Sequence, residues 1–357
     1  MITSRKINPA WFASLVLYPL VLLIIANFTI HILPIKAGAE QQQVIRLGTL
    51  NLGSAAIIYL GNDRGFFQNQ GISLEVITFE TAQQVAFAVA SGQVDIGVAG
   101  ITAALYNLAG QNKLKIIAGS IREKKGWPAN VYLVSNTLWG SGIRHPSELR
   151  NISFGVTDIG STPHYMMAML SEKYNLNLLE GKKFVPLGSV TAMKSALTSG
   201  RIDSVVLPEY IAHQVEWMGQ GHIIGYVGDE TPWQITGIFA SSKILKNHRL
   251  LVRRFLAAST DSAKIYRKFF IDEASNGPED FEAEKVKAAI AIGKFIKPVL
   301  SPEEVIRYPV YIDADGELDM ESIKRQIKWY QDNNMVKRGV NLQNVIDIEL
   351  VKPLQKG

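Results

Sequence analysis

Two glycine-serine pairs, Gly53-Ser54 and Gly160-Ser161, lie 107 residues apart, each just after a short apolar run. Such a pair at the end of a strand lets backbone N–H groups face a cleft while the hydroxyl caps the following helix, which suits an anionic or carbonyl-bearing group. It can equally be a helix N-cap that binds nothing, and for Ser54 both readings stand. Ser161 is followed by Thr162 and Pro163, and a proline just inside a helix start sacrifices no donor; there the ligand-binding reading is the stronger. His164 is one step further into that helix, placed to donate to an acceptor or to stay neutral in a cleft. Glu209 follows another apolar run. A carboxylate there prefers an ammonium or amidine partner, or else it meets the dipole of the helix it opens.

Other chemistries find no residues to carry them. The chain has no cysteine, which excludes disulfides, thiolate nucleophiles, zinc-thiolate sites and a lipidated cysteine. His145, His213, His222 and His248 read as surface or packing residues, and no histidine pair has metal-ligand spacing. There is no Walker A sequence, no His-Glu-x-x-His and no Gly-x-Ser-x-Gly. The stretch Asp313 to Asp319 superficially resembles a calcium loop, but its glycine and third ligand are misplaced, so a turn before a helix starting at Met320 is expected. No cofactor and no metal are expected. Lysine plus arginine outnumber aspartate plus glutamate by 37 to 32, but the formal +5 is spread along the chain, and nucleic-acid binding needs clustered charge.

The elements that must position these residues alternate. Val44 to Thr49, Ser73 to Phe79, Ile96 to Ala99 and Lys115 to Ser120 read as strands, with helices at Ala55 to Gly61, Ala82 to Ser91 and Ala103 to Ala109 between them. The grammar restarts near His145, with strands at Ile152 to Val156, Lys183 to Pro186, Ser204 to Leu207 and His222 to Tyr226 and helices at His164 to Tyr174, Val190 to Ser199 and Tyr210 to Met218. Two blocks repeat in order: Leu47 to Ser54 matches Phe154 to Ser161, and Ala88 to Asp95 matches Ala196 to Asp203. That predicts two α/β lobes, each a parallel-type sheet flanked by helices. Val131 to Ser135 and Gln234 to Ala240 read as the crossing strands of a hinge, and Trp127, Trp139 and Trp233 near them read as packing, with the floor of a pocket as the alternative. The helical stretch from Arg249 onward is assigned to the first lobe. The division expected is a signal over 1–39, lobe I over 40–133 and 236–357, and lobe II over 134–235. Ligands of open α/β sheets bind beyond the carboxyl ends of the strands, which points to the loops at 52–55, 80–82 and 100–102 in one lobe and 159–164, 188–191 and 208–210 in the other.

The N-terminal segment has its own character. Arg5 and Lys6 precede an apolar run from Trp11 to Leu33, and Ala37-Gly38-Ala39 follows with the small-x-small pattern of a cleavage site. A secretory signal is expected, with an uncleaved membrane anchor as the alternative because the run is long enough to span a bilayer. Either reading puts the body outside the cytoplasmic membrane, in the periplasm.

The Gly48 to Ser54 turn, Arg64-Gly65-Phe66-Phe67 with Gly71-Ile72, and Ser91 to Gly97 together resemble the ABC-importer binding proteins of the nitrate, taurine and alkanesulfonate group. Ser161 to Tyr165 is similar to the turn of the taurine-binding branch, and Gly316 to Ser322, Trp329 and Val345 to Asp347 resemble the family's closing helices. The resemblance covers nearly all of 44–350. It implies the type II periplasmic-binding-protein fold and a monomeric, non-enzymatic protein. Such a protein closes around a small solute and docks on ABC permease membrane subunits, with ATP hydrolysis left to a separate subunit. It also implies a ligand site of Ser54, Thr81, Gly100, Thr102, Ser161, Thr162 and His164, and a sulfonate, taurine-like or related nitrogen solute. Leu207-Pro208-Glu209-Tyr210 departs from the Trp-Asp/Ala-Pro type of segment usual in sulfonate and taurine binders. Glu209 inside the pocket would pair with the amino group of a thiamine-precursor pyrimidine of the formylaminopyrimidine type, the alternative solute. A pyrimidine-synthase-like enzyme is the alternative of another class; the absence of cysteine and the export signal stand against it.

Overall fold

Short runs rich in Val, Ile and Leu favour extended backbone, and strands buried on both faces need apolar residues throughout. Ile45 and Leu47 in the first run and Ile96 and Val98 in the third are fully buried. The computed structural model describes residues 42–178, 183–272 and 280–354; the signal or anchor expected in the first 39 residues lies outside them. In chain order the strands are β1 Gln43–Leu50, β2 Ile72–Phe79, β3 Ile96–Gly100, β4 Leu114–Gly119, β5 Arg122–Glu123, β6 Asn130–Val134, β7 Phe154–Val156, β8 Phe184–Pro186, β9 Ser204–Pro208, β10 His222–Tyr226, β11 Trp233–Gln234 and β12 Thr236–Ser241.

They form two five-stranded sheets, β2-β1-β3-β12-β4 and β10-β6-β9-β7-β8, with the short pair β11-β5 between them. Within each sheet one strand runs against its neighbours: β12 is antiparallel to β3 and β4, and β6 is antiparallel to β9 and β10. Those two are the strands that cross between the sheets, so each parallel-type sheet carries its crossing strand as an antiparallel member. A chain returning from the other lobe enters from the opposite end and must run backwards. Because β6 pairs in the second sheet from Asn130 onward, the crossing precedes the expected 133/134 boundary by a few residues.

The sequence repeat has a physical basis in its acidic end. Asp95 accepts from the backbone N of Arg46 at 3.0 Å and pairs with its guanidinium, tying the β3 entry to β1. Asp203 accepts from Ser153 N and Oγ, each at 2.8 Å, tying the β9 entry to the start of β7. Each repeat thus fastens its third strand to its first through a carboxylate on backbone N–H, a charge-assisted bond.

The tail builds on the first sheet. Helix Arg249–Phe270 buries Leu251, Val252, Phe255, Ala258, Ser262 and Tyr266 on one stripe, the spacing of an amphipathic helix. Ser262 Oγ on that stripe donates to the carbonyl of Ile57, so the stripe is docked on helix Ala56–Asp63 by a specific bond as well as by packing. Helix Phe281–Gly293 and helix Pro302–Arg307 follow, the latter with a capping box between Ser301 and Glu304. Helix Met320–Asp332 starts where the sequence placed it, with Asp319 accepting from Ser322 N at 2.9 Å. It faces both sheets' helices: Tyr106 Oη donates to Gln326 Oε1 at 2.9 Å, while the Tyr165 ring lies 5.3 Å from Trp329 and 5.5 Å from Tyr330. Among the described residues no helix is long and apolar enough to cross a membrane.

Candidate functional site

Strand ends and helix starts of both sheets converge on a cavity of about 120 Å3. The loops after β1, β2 and β3 contribute Ser54, Thr81 and Gly100; those after β7 and β9 contribute Ser161, Thr162, Glu209 and Tyr210; Ile121, Asn130 and Ile235 come from the crossings. The roof was not foreseen from sequence. Ile292, Ile296, Leu300, Val305, Tyr308 and Val310 bring an apolar cover from a tail far along the chain. No lysine, arginine or histidine is among the described lining residues.

Ser161 stands at the N-cap of helix Thr162–Tyr174, yet its side chain makes no capping bond, and Ser54 caps nothing in the short 3-10 turn Gly53–Ala55. The expectation that these hydroxyls cap is therefore corrected. Ser54 Oγ, Ser161 Oγ and Tyr210 Oη are each buried with no hydrogen-bond partner among the described residues, and all three residues line the cavity. Burial pushes the Tyr210 phenol up from its ordinary value, so it stays a donor. Native proteins satisfy the great majority of buried polar atoms, because an unpaired one costs about 1–3 kcal/mol. Three orphans in one cavity are the mark of a site that completes its hydrogen bonds with something else.

The two turns share sequence but not backbone. Gly160 takes φ +81°, where a side chain is strained, and Gly53 does not. Gly160 N donates to His164 Nδ1 at 2.9 Å, which holds the turn open and leaves the serine hydroxyl free. His164 itself is buried and outside the cavity lining. Its ring packs 4.2 Å from Phe184 and 5.6 Å from Trp329, and burial lowers its pKa to about 4, so it is neutral. Successive helical residues are turned by about 100°, and with Pro163 on the cavity the next side chain points into the protein. Thr102 is also outside the lining: it is fully buried and accepts from Leu105 N at 3.3 Å as a helix cap. Thr81 caps its helix through Gln84 N at 3.2 Å and still reaches the cavity.

Among the described residues Glu209 is the single charge on the lining. Its side chain is 17% exposed, and burial raises its pKa to about 7. His213 Nε2 lies 3.7 Å away, but burial lowers that imidazole's pKa as well, so near neutrality the contact is not an ion pair. The lobes meet around the cavity. Ala103 N donates to Gly160 O at 3.0 Å, a Cβ on Gly100 would sit 2.7 Å from Thr162 Cγ2, and Gln214 Nε2 donates to Glu304 Oε1 at 3.3 Å. His213 stacks on Tyr308 with centroids 5.0 Å apart. Trp233 is buried beneath the crossing and Trp139 stacks on His222, so both pack, as their positions suggested.

Two sheets of matched order, joined by crossing strands and enclosing a cavity at their meeting edges, define the two-lobed periplasmic-binding-protein fold. The sequence profile of the NMT1/THI5-like family matches residues 53–268, more than half of the chain, and the protein belongs to that family. Solved structures share the fold at low identity. A ligand-binding component of an ABC-type import system from Staphylococcus aureus is 15% identical with a TM-score of 0.67, covering 87% of this chain and 98% of that one. The alkanesulfonate-binding protein SsuA from Xanthomonas axonopodis pv. citri, bound to MOPS, is 14% identical with a TM-score of 0.66, covering 87% and 98%. The nitrate-binding protein NrtA from Synechocystis PCC 6803 is 11% identical with a TM-score of 0.67, covering 86% of each chain. No curated protein matches the chain in sequence.

Proposed function

We propose that the protein is the exported solute-binding component of an ABC importer, a monomer that closes its two lobes on a small molecule and presents it to permease subunits. The observation that carries this reading is the convergence of Ser54 Oγ, Ser161 Oγ and Tyr210 Oη, unpartnered and buried, on one inter-lobe cavity. The names of the structural neighbours, import-system components for sulfonate and nitrate among them, support it. In this reading lobe I is the first sheet with the tail, lobe II is the second sheet, and the β5-β11 pair is the hinge. The ligand residues are Ser54, Thr81, Gly100, Ser161, Thr162, Glu209 and Tyr210.

The range expected for the solute runs from sulfonates and taurine-like compounds to nitrogen compounds. Among the described residues the lining offers a bare anion no cation and opposes it with Glu209 once ionised, while the roof offers apolar surface. This chemistry favours the nitrogen end: a compact body with an apolar face and an amino or amidine-like group directed at Glu209. An aminopyrimidine has that form. A thermal-shift panel of taurine, propanesulfonate, nitrate, 4-aminopyrimidine and cytosine tests it. A bound solute at 100 times its Kd adds about 2.7 kcal/mol to stability. Stabilisation by a nitrogen heterocycle and not by nitrate or propanesulfonate supports the proposal; stabilisation by a bare anion alone overturns the solute class.

A further inference from the structure

Glu123 is 1% exposed and lies on β5, opposite Trp233 in the hinge pair. It is not on the cavity lining, yet it is bonded to residues that are. Its Oε2 accepts from Ala129 N at 2.9 Å and its Oε1 accepts from Asn130 Nδ2 at 2.7 Å, and both Ala129 and Asn130 line the cavity. Among the described residues no cation stabilises it; the charged neighbour that acts on it is Glu209, of like sign. A buried carboxylate held without a counter-charge is costly, and its position asks for a purpose.

A carboxylate can only accept hydrogen bonds, whereas an asparagine side chain has a donating and an accepting end. Facing Glu123, Asn130 turns its NH2 toward the carboxylate, which leaves its Oδ1 on the opposite side of the amide, and the residue itself lines the cavity. We infer that Glu123 is a positioning residue of the solute site: by taking the Asn130 NH2 it fixes Oδ1 toward the cavity, so that the site selects solutes offering an N–H donor at that point. This rests on the reading of the cavity as a solute site. It adds a second acceptor, from the crossing strand, to the carboxylate of Glu209 at the start of helix Glu209–Trp217. Burial raises the pKa of Glu123 to about 8, so near neutral pH the acid form, which can donate to Oδ1, outweighs the carboxylate; the orientation just given belongs to the carboxylate, which prevails above about pH 8. The groups that bear on this balance are Ala129 N–H, the Asn130 amide, Glu209 and, more weakly, the buried Tyr132 phenol.

Glu123→Gln reverses the arrangement without changing shape. Ala129 N–H claims the glutamine oxygen, the glutamine NH2 then meets Asn130, and the Asn130 amide must turn its own NH2 to the cavity. Two readouts at pH 9, where wild-type Glu123 is ionised, test this. The first needs no solute. In 15N-labelled protein, the side-chain amide signals of Asn130, identified by their loss in Asn130→Ser, are expected to exchange with water at least about tenfold more slowly in the wild type than in Glu123→Gln. The second is calorimetric titration with 4-aminopyrimidine, a donor, and 4-methoxypyrimidine, an acceptor at the same position. The wild type is expected to prefer the amine by about tenfold, and Glu123→Gln to lose or invert that preference. Fast exchange of the Asn130 amide in the wild type overturns the positioning role, and this measurement decides even if Glu123→Gln does not fold. Slow exchange with an unchanged preference in Glu123→Gln overturns the selection. Slow exchange with neither probe bound by the wild type sinks the nitrogen-solute reading, and donor selection with it, while the amide orientation stands.

Discussion

Ser161→Ala separates a helix cap from a ligand contact by the sign of its effect. Were the hydroxyl a working cap, its loss would destabilise the ligand-free protein by about 0.5–2 kcal/mol. Here Ser161 Oγ makes no bond and is buried, so the alanine protein sheds an unsatisfied group and is expected to be as stable as the wild type or more so, by up to about 2 kcal/mol. Ser301 supplies an internal control, because its Oγ accepts from Glu304 N at 3.2 Å within a capping box. Ser301→Ala should lose about 1 kcal/mol in the same assay. The assay is urea unfolding of the ligand-free proteins at pH 7, followed by circular dichroism, with comparison of midpoints at equal slope. A loss of about 1 kcal/mol or more in Ser161→Ala, matching the control, would refute the reasoning and return Gly160-Ser161 to a structural turn.

Other outcomes follow from the same geometry. Glu209 goes from an ordinary value of 4.5 to about 7 on folding, so the native state binds its proton more tightly than the unfolded chain. Stability is therefore undiminished below about pH 4.5 and falls as pH rises through about 7. Glu209→Gln should flatten that decline in urea midpoints taken from pH 4.5 to 8, and an unchanged profile would count against it. Arg122 and Asp313 pair at 3.2 Å with side chains 16% and 7% exposed, joining the hinge strand to the tail. Asp313→Ala strands the guanidinium and should cost about 2–4 kcal/mol by the same unfolding assay.

Much of the fold could be read from residue order because its strands are apolar runs and its helices carry periodic stripes, and because Leu47 to Ser54 and Phe154 to Ser161 repeat what a two-lobed frame repeats. The repeat's carboxylates, Asp95 and Asp203, turn out to fasten matching strands. What could not be read depends on direction and distance. The helix phase that turns Pro163 to the cavity turns His164 inward, where Phe184 and Trp329 enclose it. Thr102 spends its hydroxyl on Leu105 N. The roof from Ile292 to Val310 comes from a segment with no motif, brought over the cavity by packing between distant elements. Tyr210 carried a signal that could have been used, since it adjoins Glu209 in the loop already singled out. Glu123 carried none, because its importance lies in a bond to Asn130 that only the folded hinge creates.

The most direct measurement is calorimetric titration of the best-stabilising solute from the panel into wild type, Ser54→Ala and Ser161→Ala. Each serine belongs to a different lobe and each hydroxyl lacks a partner among the described residues. One solute per chain is expected for the wild type and an affinity about tenfold lower in each alanine protein, the worth of one hydrogen bond in a closed site. Equal affinity in all three proteins would contradict it, placing the solute elsewhere than between the lobes.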